Sequence, residues 1–135
     1  MLFEKVRSFL GVESLEQNKK LTLSQNSKVH IEPDFYSAER GIIGEIHAHV
    51  GRLISAQLDK IASDILKMLL FDRDSGRIHE KYIVVCDQDE YNQLSATSSV
   101  SEIIRQFNIR LLCFDLGKET CDRILKAMRK QNFLI

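Results

Sequence analysis

The sequence is poor in the residues that build disulfide or cysteine–metal scaffolds. Its 135 residues include three cysteines, Cys86, Cys113 and Cys121, an odd number without C-x-x-C spacing. This pattern argues against both a disulfide framework and a cysteine zinc site. Because Cys86 and Cys113 lie within apolar runs, we predict that they are small core residues and not nucleophiles.

The chain also lacks an excess of charge of either sign. Lys and Arg together number 19, and so do Asp and Glu, which gives a formal net charge of zero. A neutral chain is unlike proteins that coat nucleic acids through bulk electrostatic attraction. The balance is compatible with an enzyme that acts on nucleic acid through local phosphate contacts.

Long apolar runs are absent as well. No run approaches the roughly 20 residues that a helix needs to cross a bilayer. The first 17 residues, "MLFEKVRSFLGVESLEQ", mix charges with apolar positions, which favours an amphipathic helix over a secretory signal. With no repeat, linker or low-complexity segment visible, we expect one cytoplasmic domain over residues 1–135.

The spacing of apolar residues predicts the element order α-β-β-β-α-β-α-β-α. Near-continuous apolar runs such as "KYIVVCD" are typical of strands buried on both faces, so the sheet is expected to be mixed and to lie in an α/β sandwich. The predicted elements are a helix at 2–10, a hairpin within 21–35, a turn at "YSAERG", a strand at 42–50, a long helix at about 53–71, a strand at 81–87, interrupted helix signals at 88–106, a strand at 109–116, and a closing amphipathic helix from Lys118 onward.

The single proline, Pro33, opens the most informative stretch, "PDFYSAERGIIGEIHAHVG". Alternation along the strand at 42–50 places Glu45 and His47 on one face. If the turn folds the preceding strand back, Asp34 comes within reach of Glu45. Two converging carboxylates need a proton or a cation, and Mg²⁺ with its oxygen ligands is a natural partner. The main-chain carbonyl of Ile46 could supply a further oxygen.

The long helix that follows carries a polar stripe beside its apolar face. Gln57, Lys60, Asp64 and Lys67 are spaced by three, four and three residues, so they share one side. We expect this helix to point Gln57 and Lys60 towards Glu45. A lysine there could position a water or stabilise the charge of a phosphorane-like transition state.

These residues resemble the PD-(D/E)XK phosphodiesterase superfamily. Its pattern is an Asp, often after Pro, and then an acidic residue, one spacer and a lysine. Pro33-Asp34 matches the first part and Glu45-Ile46 the second, while His47 stands at the lysine position. Some members supply the lysine from the next helix, where Lys60 is the matching candidate and Gln57 matches a frequent polar residue. The family also tends to have a glutamate on its first helix, for which the candidates are Glu4, Glu13 and Glu16.

The resemblance implies a restriction endonuclease-like α/β/α sandwich that hydrolyses phosphodiester bonds in DNA with Mg²⁺ or Mn²⁺. Asp34, Glu45 and the carbonyl of Ile46 would bind the metal, Lys60 or His47 would position or deprotonate the attacking water, and Gln57 would be auxiliary. A homodimer would let two sites cut both strands.

Two other interpretations remain open from the residues. The histidine at the lysine position fits a catalytically inactive member of the same fold that serves as a binding or assembly module. Alternatively, His47 and His49, two residues apart on a strand, could share a zinc ion. Two further histidines, His30 and His79, have no identifiable partners and are expected at the surface.

Overall fold

The computed structural model describes residues 2–114, together with Arg123 and Lys126. The predicted closing helix and Cys121 therefore lie outside the described residues. The helices are α1 (Leu2–Leu10), α2 (Ser55–Ser75), α3 (Gln88–Leu94) and α4 (Ser99–Gln106), and the strands are β1 (Glu16–Gln17), β2 (Leu21–Thr22), β3 (His30–Ile31), β4 (Phe35–Ser37), β5 (Ile42–His47), β6 (Glu80–Val85) and β7 (Arg110–Cys113).

Five strands form a mixed sheet in the order β1-β4-β5-β6-β7. The β1–β4 and β4–β5 pairs are antiparallel, whereas β6 runs parallel to both β5 and β7. Strands β2 and β3 form a separate two-stranded sheet. The predicted α/β class and mixed sheet are confirmed at this level.

The first half of the sheet departs from the prediction in detail. The hairpin pairs Leu21 with Ile31, but Phe35 belongs to the next strand, β4. Proline has no N–H for a ladder, which is a reason for the break between β3 and β4 at Pro33. Consequently "YSAERG" is not all turn, because Tyr36 and Ser37 complete β4 and the turn covers residues 38–41. The short edge strand β1 was not predicted.

Apolar side chains pack on both faces of the sheet. On one face, Phe3 and Val6 of α1 join a buried cluster with Ile42 and Val84. On the other, Ile43 and Ile83 lie in a cluster with α2 and α4, to which α2 contributes Ile61, Ile65 and Met68. The alternation along β5 that was predicted from sequence is therefore confirmed, and Glu45 and His47 share the α2 side with Ile43.

Helix α2 starts and ends later than predicted. Ile54 precedes its first turn and is 64% exposed, so it does not belong to the buried stripe, which instead extends to Phe71. The helix ends at Gly76, whose φ of 69° is the left-handed conformation that glycine adopts readily, and whose N–H bonds to the carbonyl of Asp72.

The pairing of β4 with β5 depends on a glycine next to Glu45. A methyl group on Gly44 would lie 2.1 Å from the ring of Phe35, which is fully buried against it. Glycine is therefore needed for this close approach, and the contact helps to fix the register that sets Asp34 beside Glu45.

Candidate functional site

A cleft of about 510 Å³ opens where β5 extends beyond β4 and faces α2. It brings together Asp34, Glu45, Ile46, His47 and Lys60, all predicted from sequence. The remaining lining residues are His30, Ile31, Glu32, Pro33, Ile43, Asp64, Lys67 and Met68.

The Asp34 side chain hydrogen-bonds to strand β5 just beyond the end of the β4–β5 ladder. The β4–β5 ladder ends at the pair Phe35 and Gly44, so the N–H of Ile46 has no strand partner on this side. Oδ2 of Asp34 accepts that N–H at 2.7 Å. Because the N–H and C=O of one strand residue point to the same edge, the Ile46 carbonyl also faces the Asp34 side.

Glu45 lies next to Asp34 and is strongly perturbed. Burial, a side-chain hydrogen bond with Asp34 and the nearby charges of Asp34 and Asp64 raise the pKa of Glu45 to about 9. A pKa this high favours the protonated form of Glu45 at neutral pH. Two carboxyl groups held this closely are a place where a divalent cation could replace the proton.

The residues present fit a cation that takes oxygen ligands and retains water. Within residues 2–114, no group of three His, Cys, Asp or Glu side chains is arranged to hold a metal ion. Asp34 and Glu45 would thus supply two ligands and the Ile46 carbonyl a third, and the remaining ligands would be water or substrate, as is usual for Mg²⁺.

Asp64 is a buried carboxylate of the cleft, and sequence reasoning did not assign it to the site. Only 4% of its side chain is exposed. Both of its oxygens accept hydrogen bonds from Nζ of Lys60, at 2.7 and 2.9 Å. Nε2 of His47 lies 3.2 Å from Oδ2, although off the line of a directed hydrogen bond. The available signal was its position between Ile61 and Ile65 of the apolar stripe, one turn after Lys60.

These contacts fix the charges of the partners. Burial alone would raise the pKa of Asp64, but His47 and Lys60 hold it below its ordinary value. Burial would likewise lower the pKa of Lys60, but the hydrogen bonds to Asp64 and the nearby carboxylates raise it. Lys60 is therefore a lasting cation, which suits it to charge stabilisation and not to accepting a proton from water.

Gln57 does not point towards Glu45 as predicted. Its Oε1 accepts the N–H of Ile54 at 2.8 Å, which caps the start of α2, and its Nε2 lies 3.1 Å from Nδ1 of His49. It is not among the residues that line the cleft. A glutamine three residues into a helix can reach back to the free N–H groups there, and that local bond directs it away from the site.

The zinc interpretation also loses support. Strand β5 ends at His47, so His49 lies in the following loop. His47 contacts Asp64, whereas His49 contacts Gln57 and the carbonyl of Arg52. The two histidines therefore have different partners.

None of the N-terminal glutamates reaches the cleft. Glu4, Glu13 and Glu16 are exposed, and α1 packs on the face of the sheet opposite α2. Glu4 lies 3.8 Å from Arg7, and Glu16 lies 3.5 Å from Lys19. From α2, Asp64 lines the cleft.

The prediction for one of the two remaining histidines was wrong. His30 is exposed, as expected, and lines the cleft. His79 is 4% exposed; its Nδ1 lies 2.7 Å from Oδ1 of Asp72, whose other oxygen pairs with the buried Lys81. Sequence spacing did not reveal this group because its members come from the end of α2 and the start of β6.

The chain matches no family model, no curated protein and no solved structure. No helix within the described residues is long and apolar enough to span a bilayer.

Proposed function

We propose that this protein is a divalent-metal-dependent nuclease that hydrolyses phosphodiester bonds in DNA. The observation that carries the proposal is the carboxyl pair of Asp34 and Glu45, which lies in one cleft with the ammonium group of Lys60. A metal-binding acidic pair beside a fixed cation is suited to phosphate chemistry, since the cation can stabilise negative charge on the transferred group.

The restriction endonuclease-like sandwich is the proposed topology. It is supported by α1 and α2 on opposite faces of the mixed sheet, with Asp34 entering β4 and Glu45 on β5. It is further supported by Lys60, which reaches the same cleft from α2 and compensates for the histidine at the strand lysine position.

In the proposed mechanism, Asp34, Glu45 and the Ile46 carbonyl would hold Mg²⁺ or Mn²⁺, and the ion would supply Lewis-acid activation of the attacking water and of the phosphoryl oxygen. Lys60 remains protonated and stabilises the charge that develops on the phosphate. His47 lies at the base of the cleft against Asp64. Gln57 has no direct part, because it caps α2.

The test is cleavage of supercoiled plasmid and of single-stranded DNA with Mg²⁺ or Mn²⁺. We expect the wild type to cleave and Glu45→Ala and Asp34→Asn to lose the metal-dependent activity. Glu39→Gln is the matched control, since Glu39 is an exposed carboxylate in the β4–β5 turn and should retain full activity. Wild-type cleavage no greater than that of Glu45→Ala would refute the proposal for these substrates.

The second candidate is an inactive member of the same fold that acts as a binding or assembly module. His47 at the lysine position favours it, as does the engagement of both Asp64 oxygens by Lys60, which leaves Lys60 less free to act. Calorimetric titration with Mn²⁺ separates the two candidates. A nuclease should bind Mn²⁺ through Asp34 and Glu45, so Glu45→Gln should remove the heat of binding. A module without metal chemistry should give the same result for the wild type and for Glu45→Gln.

Homodimerisation is part of the nuclease proposal, because cutting both strands without turning over requires two clefts. Sedimentation of the protein with and without a short DNA duplex would test it, and a monomer in both conditions would limit the activity to single strands or nicks.

A further inference from the structure

We propose that Asp64 is a positioning residue that holds the Lys60 ammonium at the Glu45 end of the cleft. This inference rests on the proposed function, but its physical core is the contact between two side chains. Asp64 is placed by α2, and His47 braces it from the sheet.

Lys60 needs such a support because most of its side chain is in solvent. Its side chain is 61% exposed, so the lysine loses rotamer entropy when its ammonium is fixed in one place. Hydrogen bonds to both Asp64 oxygens, one helical turn away, restrict the ammonium to one place. Lys67, the next lysine to line the cleft, has no carboxylate partner among the described residues.

Asp64 itself is held in place by its surroundings. Its side chain is 4% exposed and lies beside the buried Ile61 and Ile65 of α2. A buried carboxylate is stable only with charged or hydrogen-bonding partners; Lys60 donates to both Asp64 oxygens, and Nε2 of His47 lies 3.2 Å from Oδ2. The histidine at the strand position thus stands in contact with the carboxylate that fixes the helix lysine.

The alternative role for Asp64 is that of a third metal ligand, and the two roles give opposite results. In a positioning role Asp64 affects metal affinity only weakly, through its charge near Glu45, whereas loss of a ligand lowers the affinity strongly. We therefore expect Asp64→Asn to bind Mn²⁺ with a Kd within twofold of the wild type. A tenfold weaker Kd would overturn the proposal.

Cleavage kinetics test whether Asp64 acts through Lys60. We expect Asp64→Asn to lower kcat about ten- to a hundredfold, as is usual for a supporting residue, with KM little changed. The double variant Lys60→Met/Asp64→Asn should be no worse than Lys60→Met alone. Fully multiplicative losses would contradict the proposal. Asp59→Asn, an exposed carboxylate on the same helix, is the matched control.

A measurement without catalysis separates failure of this inference from failure of the proposed function. In ¹⁵N spectra of the lysine side chains, the hydrogen-bonded Lys60 ammonium should exchange with water at least fivefold more slowly than that of Lys67. If the wild-type Lys60 exchanges as fast as Lys67, the inference is wrong, whether or not DNA is cleaved and whether or not Asp64→Asn folds. If Lys60 exchanges slowly but the protein cuts no DNA, the proposed nuclease function is wrong, whereas the proposal that Asp64 positions Lys60 still holds.

Discussion

Two groups of an aspartate, a histidine and a lysine are attached to α2 about two turns apart. In the cleft group, Asp64 contacts His47 and Lys60. In the second group, which we call the buried triad, Asp72 contacts His79 and Lys81. The same three residue types therefore meet in two settings that differ in exposure and in charge balance.

The buried triad is closed and satisfied. The His79 and Lys81 side chains are 2% and 6% exposed, and Lys81 also donates to the carbonyl of His79 at 3.0 Å. The rings of Tyr36 and Phe71 pack against His79. The triad therefore joins the end of α2 to the start of β6 through hydrogen bonds and a charge pair.

The cleft group is open and carries excess negative charge. Asp34, Glu45 and the exposed Glu32 add three carboxyl groups to Asp64, and the lysines among the lining residues are Lys60 and Lys67. Burial first, and then the neighbouring carboxylates Asp34 and Asp64, raise the pKa of Glu45. The same three residue types therefore form a stabilising contact where their charges cancel. Where the charges do not cancel, they form part of a candidate site.

The largest expected effect comes from opening the buried triad. We expect Lys81→Met to lower the free energy of unfolding by about 3 kcal/mol, because it leaves the Asp72 carboxylate short of its cation in a buried setting. Urea denaturation of the variant and of the exposed control Lys67→Met measures the difference. A loss no larger than that of the control would remove the contrast between the two groups.

A carboxyl outside both groups gives the next largest effect. Glu90 is fully buried, neither of its oxygens has a hydrogen-bond partner within the described residues, and burial together with the charge of Asp87 raises its pKa to about 8. The unfolded chain releases this proton from about pH 4.5 upward, whereas the folded chain keeps it until about pH 8. Stability should therefore fall as pH rises between these values.

Glu90→Gln tests that sign. The glutamine amide does not titrate. The free energy of unfolding of the variant, relative to that of the wild type, should therefore increase by roughly 2 to 4 kcal/mol between pH 5 and pH 8. Thermal or urea unfolding across this range measures the difference, with Asp89→Asn as an exposed control on the same helix. A difference that is constant with pH would show that Glu90 is ionised when folded.

Glu45 should behave in the same direction with a smaller effect, because it is only half-buried. Its pKa of about 9 means that the folded state retains a proton that the unfolded state loses above about pH 4.5, so ionisation favours unfolding at neutral pH. We expect Glu45→Gln to stabilise the protein by roughly 1 to 3 kcal/mol at pH 7.5 while it removes cleavage. Urea denaturation and DNA cleavage measured on the same preparation would show whether the variant gains stability as it loses activity. A Glu45→Gln variant that is less stable than the wild type would contradict the prediction.

The smallest effect is expected for the lysine of the cleft group. Lys60→Met should lower stability by less than Lys81→Met does, because Lys60 is mostly in solvent and water can replace part of its contact with Asp64. Denaturation beside Lys81→Met gives the direct comparison. If the two substitutions lower the free energy of unfolding equally, both groups serve mainly to stabilise the fold.

Much of the cleft could be predicted from local patterns. The alternation along 42–47 set Glu45 and His47 on the face of Ile43, and Pro33-Asp34 before an apolar strand located the second carboxylate. The helical spacing of Lys60 indicated the side from which a cation arrives. Periodicity and turn chemistry are short-range properties of the sequence. They can therefore be predicted without knowing which distant residues the side chains contact.

Other assignments failed where a distant partner or a competing local bond decides. Gln57 had the right spacing, but the unsatisfied N–H of Ile54 captured its side chain. His79 carried no sign of burial until α2 brought Asp72 against it. The division of 21–37 into three short strands depends on which strand pairs with which, and that pairing is set by the sheet as a whole.

By itself the sequence determined a mixed α/β chain with an acidic pair, a strand histidine and a helix lysine in register for one site. The tertiary structure decided that this lysine donates to both oxygens of Asp64 and that the pKa of Glu45 is raised. The physical reason is that hydrophobic periodicity is encoded locally, whereas the charge of a carboxyl depends on its burial and on the neighbours that folding brings to it.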